Sequence, residues 1–354
     1  MREALNIASQ LSDPKLMAGL LHARSSINSN FFRLREAAED GLLSERLGGS
    51  AAPPWRRAMQ LLNLHQTLLY LGRLDEAARI TDELEPLAGK IGESSAIALC
   101  LASRAWVEFG EAADLAKLET SLQQLSEYGE KAPFTFWDVV SEVQLSLVHF
   151  FRGNWASALL HAQASWRAEP GNWMEGYGAG QLFRQMAYMG DRAGALAILD
   201  EKRTWLPRLG QPNTRGSWWM LALVIEGLVI LGEQAQAASF YPLARELIDT
   251  GAVALWALSR FTQTIAGAAR AAAGEWQAAE EHFQIAMQQA ESFPYRLEQA
   301  DIRRFHAMML IARATPGDTE RAQSLLAEAI VTYTQIGMPR HVEMTRTLLD
   351  RAVG

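Results

Sequence analysis

A short pattern, Gly-x-x-x-x-Ala, recurs along the chain and restricts its fold more than any other feature. The pairs are Gly72/Ala77, Gly153/Ala158, Gly190/Ala195, Gly232/Ala237, Gly274/Ala279 and Gly317/Ala322. The last four glycines are spaced by 42, 42 and 43 residues, which is the period of a helical hairpin stacked into a solenoid. Because 354 residues exceed what one ordinary core supports, the fixed period favours a one-dimensional array of repeats.

The segments between these turns have the periodicity of amphipathic helices. Apolar residues recur at three- and four-residue steps, as in Leu61, Leu64, Leu68 and Leu71, and sustained two-residue alternation is almost absent. Glycine allows the positive φ that ends the first helix, and the following alanine permits close approach of the second. We therefore predict an all-α solenoid of about eight antiparallel hairpins, with turns at Arg33, Gly72, Gly110, Gly153, Gly190, Gly232, Gly274 and Gly317.

The whole chain, residues 1–354, is predicted to be a single solenoid. Residues 1–12 are expected to form an N-terminal helix of an incomplete repeat, and residues 339–353 a C-terminal capping helix. Gly110 is the weakest of the turns, because Leu115 replaces the expected alanine and the phase shifts by a residue or two. The glycine-rich run 176–180 lacks the preceding strand and the lysine of a phosphate loop, so it favours close helix packing.

Several segments resemble the turn and second helix of the tetratricopeptide repeat. They are YLGRLDEAARITDEL from Tyr70, ILGEQAQAASFYPLARELI from Ile230 and AAGEWQAAEEHFQIAMQQA from Ala272. The resemblance covers nearly the whole chain, although the period is about 40 where the tetratricopeptide has thirty-four. It implies a right-handed α-solenoid whose first helices line a concave face.

A narrower resemblance concerns the two ends of the chain. ATPGDTERAQSLLAEAIVTYTQIGMPRHVEMTRTLL from Ala314 is similar to the C-terminal repeat region of bacterial multidomain signalling ATPases of the adenylate cyclase or transcription-regulator types. EALNIASQLSDPKLMAGLL from Glu3 resembles the middle of such a region. Because Gly-x-x-x-x-Gly-Lys-Ser/Thr does not occur, the resemblance implies a sensor or scaffold part without the ATPase chemistry.

Composition and motifs exclude several classes of function. The 33 basic and 40 acidic residues are scattered, so nucleic acid is not an expected partner. Cys100 is the only cysteine, the first residues are not a secretory signal, and no apolar run is long enough to span a membrane. We expect a cytoplasmic protein. None of the seven histidines belongs to a metal-binding motif, and no nucleophile motif occurs, so we expect no metal, no cofactor and no enzyme activity.

The predicted concave face supplies the candidate ligand-binding residues. By the resemblance, inward positions lie two, six and thirteen residues before each turn glycine, where polar, aromatic and charged residues meet in the middle hairpins. The candidates are Gln66, Tyr70, Arg104, Glu108, Tyr177, Gln181, Arg184, Tyr188, Trp219 and Glu226. Such a groove could bind a peptide carboxylate or an anionic metabolite. Alternatively, these residues pair with each other, for example Arg184 with Glu226.

Three functions remain open at this point. The first is a non-enzymatic scaffold or sensor that binds a protein or peptide on an open concave face with exposed arginines. The second is a small-molecule effector sensor with an enclosed pocket near Tyr177 and Trp219, and the third is an enzyme built on a solenoid. A monomer or a weak homodimer is expected, because Leu5, Ile7 and Leu11 of the first helix could pack against a second chain.

Overall fold

Helices account for nearly all of the chain in the computed structural model, which describes residues 2–48, 52–92, 94–129, 136–167, 173–293 and 295–353. After α1 (Arg2–Gln10), the first four hairpins are α2 (Pro14–Asn30) with α3 (Leu34–Gly48), α4 (Pro54–Tyr70) with α5 (Leu74–Ile91), α6 (Ser94–Ala112) with α7 (Leu115–Gly129), and α8 (Phe136–Phe151) with α9 (Trp155–Arg167). Each first helix packs against its second helix, and neighbouring hairpins pack against each other. This is the predicted all-α solenoid.

The second half of the chain continues the same order. Its hairpins are α10 (Tyr177–Tyr188) with α11 (Arg192–Glu201), α12 (Arg215–Leu231) with α13 (Gln234–Ser239) and α14 (Tyr241–Asp249), α15 (Thr262–Ala272) with α16 (Trp276–Ser292), and α17 (Arg296–Arg313) with α18 (Asp318–Ile336). The final helix is α19 (Pro339–Val353). Among the described residues, the hairpins therefore number eight, as predicted.

The turn chemistry confirms most of the predicted frame. Gly72, Gly153, Gly190, Gly232 and Gly274 all have φ between +70° and +79°, a range that glycine adopts without steric cost. The six alanines of the recurring pattern are all at most 1% exposed. Size is therefore what matters at these alanines, because the two helices of a hairpin approach each other there.

One predicted turn is wrong in position. α6 continues through Gly110 to Ala112, and the left-handed residue that ends it is Ala113, with φ +55°. The turn predicted at Gly317 does lie between α17 and α18, but the left-handed residue that ends α17 is Ala314, with φ +53°, and Gly317, with φ +84°, precedes α18. Alanine adopts this conformation at a cost of about 1–2 kcal/mol, so a search for glycine overlooks these two helix ends.

A small insertion between α14 and α15 brings distant parts of the chain together. It contains the antiparallel strands β1 (Ala254–Leu255) and β2 (Arg260–Phe261), joined by a single 3-10 turn. The Val253 N–H donates to the Tyr70 carbonyl at 2.8 Å, and Trp256 Nε1 donates to the Leu69 carbonyl at 2.6 Å. The solenoid is thus wound tightly enough for the second hairpin to contact the segment after the sixth.

The two ends of the solenoid differ in how they are covered. Ile7 in α1 and Leu11 just after it are 48% and 64% exposed, whereas His341 at the start of α19 is 2% exposed and packs against Phe150 and Tyr333. α19 therefore contacts both the fourth and the eighth hairpin. None of the helices in the described part of the chain is long and apolar enough to cross a membrane.

Candidate ligand-binding site

Four candidate residues form one stripe along α10. Tyr177, Gln181, Arg184 and Tyr188 are spaced by four, three and four residues, which places them on the same face of a helix. That face points into the interior, since the exposed fractions are 1%, 0%, 0% and 6% in the same order. We call these four residues the α10 stripe.

α12 runs beside the α10 stripe in the same direction. The rings of Tyr177 and Trp219 are 4.3 Å apart at one end, and the Tyr188 hydroxyl donates to Glu226 Oε1 at 2.8 Å at the other. Glycines allow this proximity: a Cβ on Gly180 would lie 3.0 Å from the Met220 Cα. Close helix packing is thus the role of this glycine in the run at 176–180, as the sequence predicts.

The second hairpin extends this face beyond Trp219. The Tyr70 ring centroid lies 6.4 Å from that of Trp219, and Gln66 Oε1 accepts a hydrogen bond from Arg215 at 3.1 Å. Since Arg215 lies one helical turn before Trp219, Gln66 and Tyr70 join the same interior surface. Eight of the ten candidate residues are therefore neighbours along one continuous buried surface.

Arg104 and Glu108 lie elsewhere and are a correction to the predicted inward set. The Arg104 side chain is 56% exposed and donates to Glu108 at 2.8 Å, and Lys117 contacts the same carboxylate. The cause is the misplaced turn. The inward positions were counted back from Gly110, but the left-handed residue that ends α6 is Ala113, so the predicted positions are three residues away from the true inward ones. These two residues form an ordinary surface ion pair.

An acidic cluster adjoins the α10 stripe, and the sequence analysis predicted only one of its members, Glu226. It consists of three carboxylates, Glu226, Glu298 and Asp301, all at most 2% exposed. Arg260, from strand β2, donates to all three, at 3.1 Å to Glu226, 2.7 Å to Glu298 and 2.9 Å to Asp301. A single guanidinium from the insertion thus bridges carboxylates from two inner helices.

Arg304 completes the cluster. It donates to the Tyr188 hydroxyl at 2.8 Å, to the Tyr333 hydroxyl at 3.1 Å and to Asp301 Oδ1 at 3.2 Å. Tyr333 also donates to Asp301, and Glu298 accepts from the Phe261 N–H and the Thr264 hydroxyl. Every carboxylate oxygen of the cluster therefore has a hydrogen-bond donor.

The pKa values in this interior follow its charge distribution. Burial would raise the pKa of Asp301, but Arg260 and Arg304 outweigh it and hold the pKa well below its usual range. Burial raises the pKa of Glu298 to about 7 against the attraction of Arg260, and the Asp301 charge adds to the rise. Burial also lowers the pKa of His341 to about 3, so this imidazole is neutral.

Arg184 differs from Arg260 and Arg304 because it forms no hydrogen bond to a carboxylate or hydroxyl in the described structure. Its Nε and both Nη atoms have no hydrogen-bond partner within the described part of the chain, and the closest Glu226 oxygen is 3.9 Å from Nη1. The guanidinium stacks on the Phe150 ring at 4.7 Å. Burial lowers the pKa of Arg184, whereas the pKa of Arg260 is raised well above its usual value. The expected Arg184–Glu226 pair is thus a charge contact without a hydrogen bond.

Gln181 is the second unsatisfied member of the α10 stripe. Both its amide oxygen and its amide nitrogen are buried without a partner in the described structure. The α10 stripe is therefore closed to solvent and is not the open groove with exposed arginines that the peptide hypothesis expects. The hydrogen-bonding groups of Gln181 and Arg184 are nonetheless unused within the described part of the chain.

The missed residues had a signal in the sequence. Thirteen residues before the true end of α17, Ala314, lies Asp301, which is the same inward position as Tyr177 and Trp219 in their hairpins. Glu298 and Arg304 lie three residues on either side of it and so share its face. Arg260 had no such signal, because it belongs to the insertion and not to a repeat.

The comparisons with known proteins bear on the fold. The chain is similar to the crystal structure of a Rap protein complexed with competence and sporulation factor, with a TM-score of 0.50, 10% sequence identity, and coverage of 95% of this chain and 97% of that chain. That likeness supports a tetratricopeptide-like helical repeat fold. No protein-family model matches the sequence, and no curated protein matches it either.

Proposed function

We propose that the protein is a non-enzymatic scaffold or sensor that binds a peptide against the inner faces of α10 and α12. The observation that supports the proposal is that Gln181 and Arg184, which are both fully buried, have side-chain hydrogen-bonding groups without a partner in the part of the chain that the structure describes. A buried polar group without a partner costs about 1–3 kcal/mol, and a charged one costs more. Hydrogen bonds from these groups to a bound ligand would offset this cost.

The length of the α10 stripe suits a short peptide. From Tyr177 to Tyr188 the helix rises about 16 Å, at 1.5 Å per residue. An extended peptide advances about 3.3 Å per residue, so about five ligand residues would lie along the stripe. Aromatic rings at both ends, Tyr177 with Trp219 and Tyr188 with Phe150, offer apolar contacts beside the polar centre.

A regulatory context in bacteria is part of the proposal. It rests on the resemblance of the segments from Glu3 and Ala314 to the repeats of signalling ATPases. The Rap protein of similar fold was solved with a factor bound, which supports a binding role for a solenoid of this kind. We propose that the chain is the sensor or scaffold part of such a system and acts in the cytoplasm.

Ligand entry requires the solenoid to open. The α10 stripe is enclosed because the insertion and α19 bridge hairpins that are distant in the chain, and because the hairpins share one continuous apolar core. Small rotations at successive hairpin interfaces change the radius of a solenoid. Such rotations would expose the α10 stripe, and the apparent affinity would be reduced by the fraction of molecules that are open.

A small-molecule effector is the second candidate, and one observation favours it. Gln181 and Arg184 are both 0% exposed, so a ligand that contacted them would be largely enclosed, as small ligands are in their sites. A small anionic metabolite would contact Arg184 and the Tyr177–Trp219 pair without widening the solenoid as far as a peptide would.

Affinity selection tests the peptide proposal. The full chain is incubated with an equimolar pool of random synthetic heptapeptides, and protein-bound peptides are separated by size exclusion and identified by mass spectrometry. We expect a defined set to be retained, and Gln181→Leu to lower its retention about tenfold, since each lost hydrogen bond is worth about 0.5–1.5 kcal/mol. Gln284→Leu, at an exposed position of α16, is the control and should retain the same set.

The outcomes separate the two candidates. If the wild-type chain retains no peptide, or if Gln181→Leu retains the wild-type set unchanged, the peptide proposal is rejected. A thermal-shift screen with free carboxylic acids and nucleotides addresses the alternative. A compound that stabilises the wild-type chain but not Trp219→Phe would support the small-molecule effector.

A further inference from the structure

Among the described residues, two buried arginines on the interior surface lack a hydrogen-bonded carboxylate. Arg184 is one, and Arg215, which is 3% exposed, is the other. Arg215 donates to Gln66 and to the Ser29 hydroxyl at 3.0 Å, both neutral, and its Nε has no partner in the described structure. The Arg215 Cζ also lies 5.4 Å from the centroid of the Tyr70 ring and 4.7 Å from that of the Trp173 ring, so the charge makes cation–π contacts with both.

The other buried arginines of the described structure are paired with carboxylates, unlike these two. Arg57, Arg260 and Arg304 each donate to at least one carboxylate. Removing a guanidinium from water without a hydrogen-bonded anion costs several kcal/mol. Two arginines of this kind on one continuous surface therefore indicate that the missing carboxylate acceptors belong to something that binds there.

The positions of the two arginines define a spacing. Tyr177 lies beside Trp219, Arg184 lies seven residues after Tyr177, and Arg215 lies four residues before Trp219. Because α10 and α12 run parallel, the two arginines are separated by about 16 Å along the helix axes, at 1.5 Å per residue. An extended peptide spans this distance in about five residues.

We propose that the ligand is an acidic peptide whose two carboxylates, four to six residues apart, pair with Arg184 and Arg215. Either of the two carboxylates can be an acidic side chain or the C-terminal carboxylate of the peptide. Gln181, between the two arginines, donates to and accepts from the peptide backbone. This inference rests on the proposed function, because it assigns the chemistry of the ligand at the same site.

The first test examines which peptides are selected. The heptapeptide pool is prepared with free carboxyl termini, and a second pool carries C-terminal amides and has Asn and Gln in place of Asp and Glu. We expect peptides from the first pool to be enriched in paired carboxylates at the stated spacing, and retention from the second pool to fall at least tenfold.

The second test assigns each carboxylate to its arginine. The best-retained peptide and two analogues, each with one carboxylate replaced by an amide, are measured by fluorescence anisotropy against the wild type, Arg184→Gln and Arg215→Gln. We expect each variant to weaken the parent peptide about 10- to 100-fold and to show no further loss with one of the two analogues. Arg245→Gln, which removes a 57% exposed surface arginine, is the control and should bind as the wild type does.

Each failure has a distinct meaning. Peptides that are retained without enrichment in carboxylates, or that bind both arginine variants as tightly as the wild type, overturn the inference and leave the peptide-binding function intact. Absence of any retained peptide overturns both. A thermal midpoint for each variant within a few degrees of the wild type establishes that a loss of affinity is not a loss of folding.

Discussion

Arg184 and Arg304 are both fully buried, yet we predict that replacing them with methionine changes stability in opposite directions. Arg184 has no hydrogen bond in the described structure, and its gains are a stacking contact with Phe150 and attraction to Glu226. At an effective dielectric constant of about 20, a charge pair at this 3.9 Å separation contributes about 4 kcal/mol. Stacking adds about 1 kcal/mol.

The costs at Arg184 exceed these gains. Burial of the charge costs several kcal/mol, and each nitrogen without an acceptor adds about 1–3 kcal/mol. Methionine fills a similar volume without either cost, and Glu226 keeps its hydrogen bonds to Tyr188 and Arg260. We therefore expect Arg184→Met to stabilise the unliganded protein by about 2 kcal/mol, within the range observed when buried ionic groups are replaced by apolar ones.

Arg304→Met is the matched comparison. It removes donors from Tyr188, Tyr333 and Asp301 and leaves the Asp301 carboxylate with less compensation, so a loss of about 3–5 kcal/mol is expected. With an unfolding entropy of about 2.1 cal/mol/K per residue over 354 residues, 1 kcal/mol shifts the midpoint by about 1.3 °C. Calorimetry should show a rise of about 3 °C for Arg184→Met and a fall of about 4–7 °C for Arg304→Met.

The opposite signs are the decisive result. If Arg184→Met destabilises the chain as much as Arg304→Met does, then Arg184 is a structural residue, and the argument from its unused donors is wrong. Urea unfolding followed by circular dichroism provides an independent measure, because a change in midpoint at constant slope reports stability alone.

Three further predictions concern pH, glycine packing and helix ends. The pKa of Glu298 in the folded protein, about 7, exceeds the usual 4.5, so between these pH values the folded state keeps a proton that the unfolded state loses, and stability should fall as pH rises from 4.5 to 7. In Glu298→Gln the urea midpoint should depend less on pH over this range, and an unchanged dependence would contradict the argument. A Cβ on Gly216 would lie 2.4 Å from the Met174 carbonyl, so Gly216→Ala should lower the thermal midpoint by several degrees, whereas Gly19→Ala, with open space around it, should not. Ala314→Gly should raise stability by about 0.5–1 kcal/mol in the same assay, while Ala273→Gly, at negative φ, should lower it.

The hairpin frame was predictable because it depends on local chemistry. Gly232 and Ala237, for example, report a left-handed turn and a close approach within six residues of each other, and both are visible in the sequence. The frame was wrong at Gly110 because Ala113 takes the left-handed conformation, and this error moved Arg104 and Glu108 onto the predicted inner face. A strained alanine has no signature that distinguishes it from a helical one.

The closed interior could not be predicted in the same way. The curvature of a solenoid accumulates from a small rotation at each hairpin interface, and no single repeat encodes it. Arg215 contacts Gln66 and Ser29, which are 149 and 186 residues away in the sequence, so these contacts depend on how the solenoid is wound from the first hairpin to the sixth. For the same reason, Arg260 in the short insertion showed no sign that it meets carboxylates of two different hairpins.

The insertion helps to close the solenoid with two neutral hydrogen bonds to the second hairpin, from Val253 and Trp256, and each contributes about 1 kcal/mol. Opening also separates parts of one continuous apolar core, at about 25 cal/mol for each Å² exposed. Two charge-assisted contacts to a ligand, at Arg184 and Arg215, would contribute about 1.5–3 kcal/mol each. Binding at both arginines therefore offsets the two hydrogen bonds and the exposure of a small apolar area. A ligand that engages only one of the arginines would leave the closed form dominant, and this makes the pair of carboxylates a condition for the switch as well as for affinity.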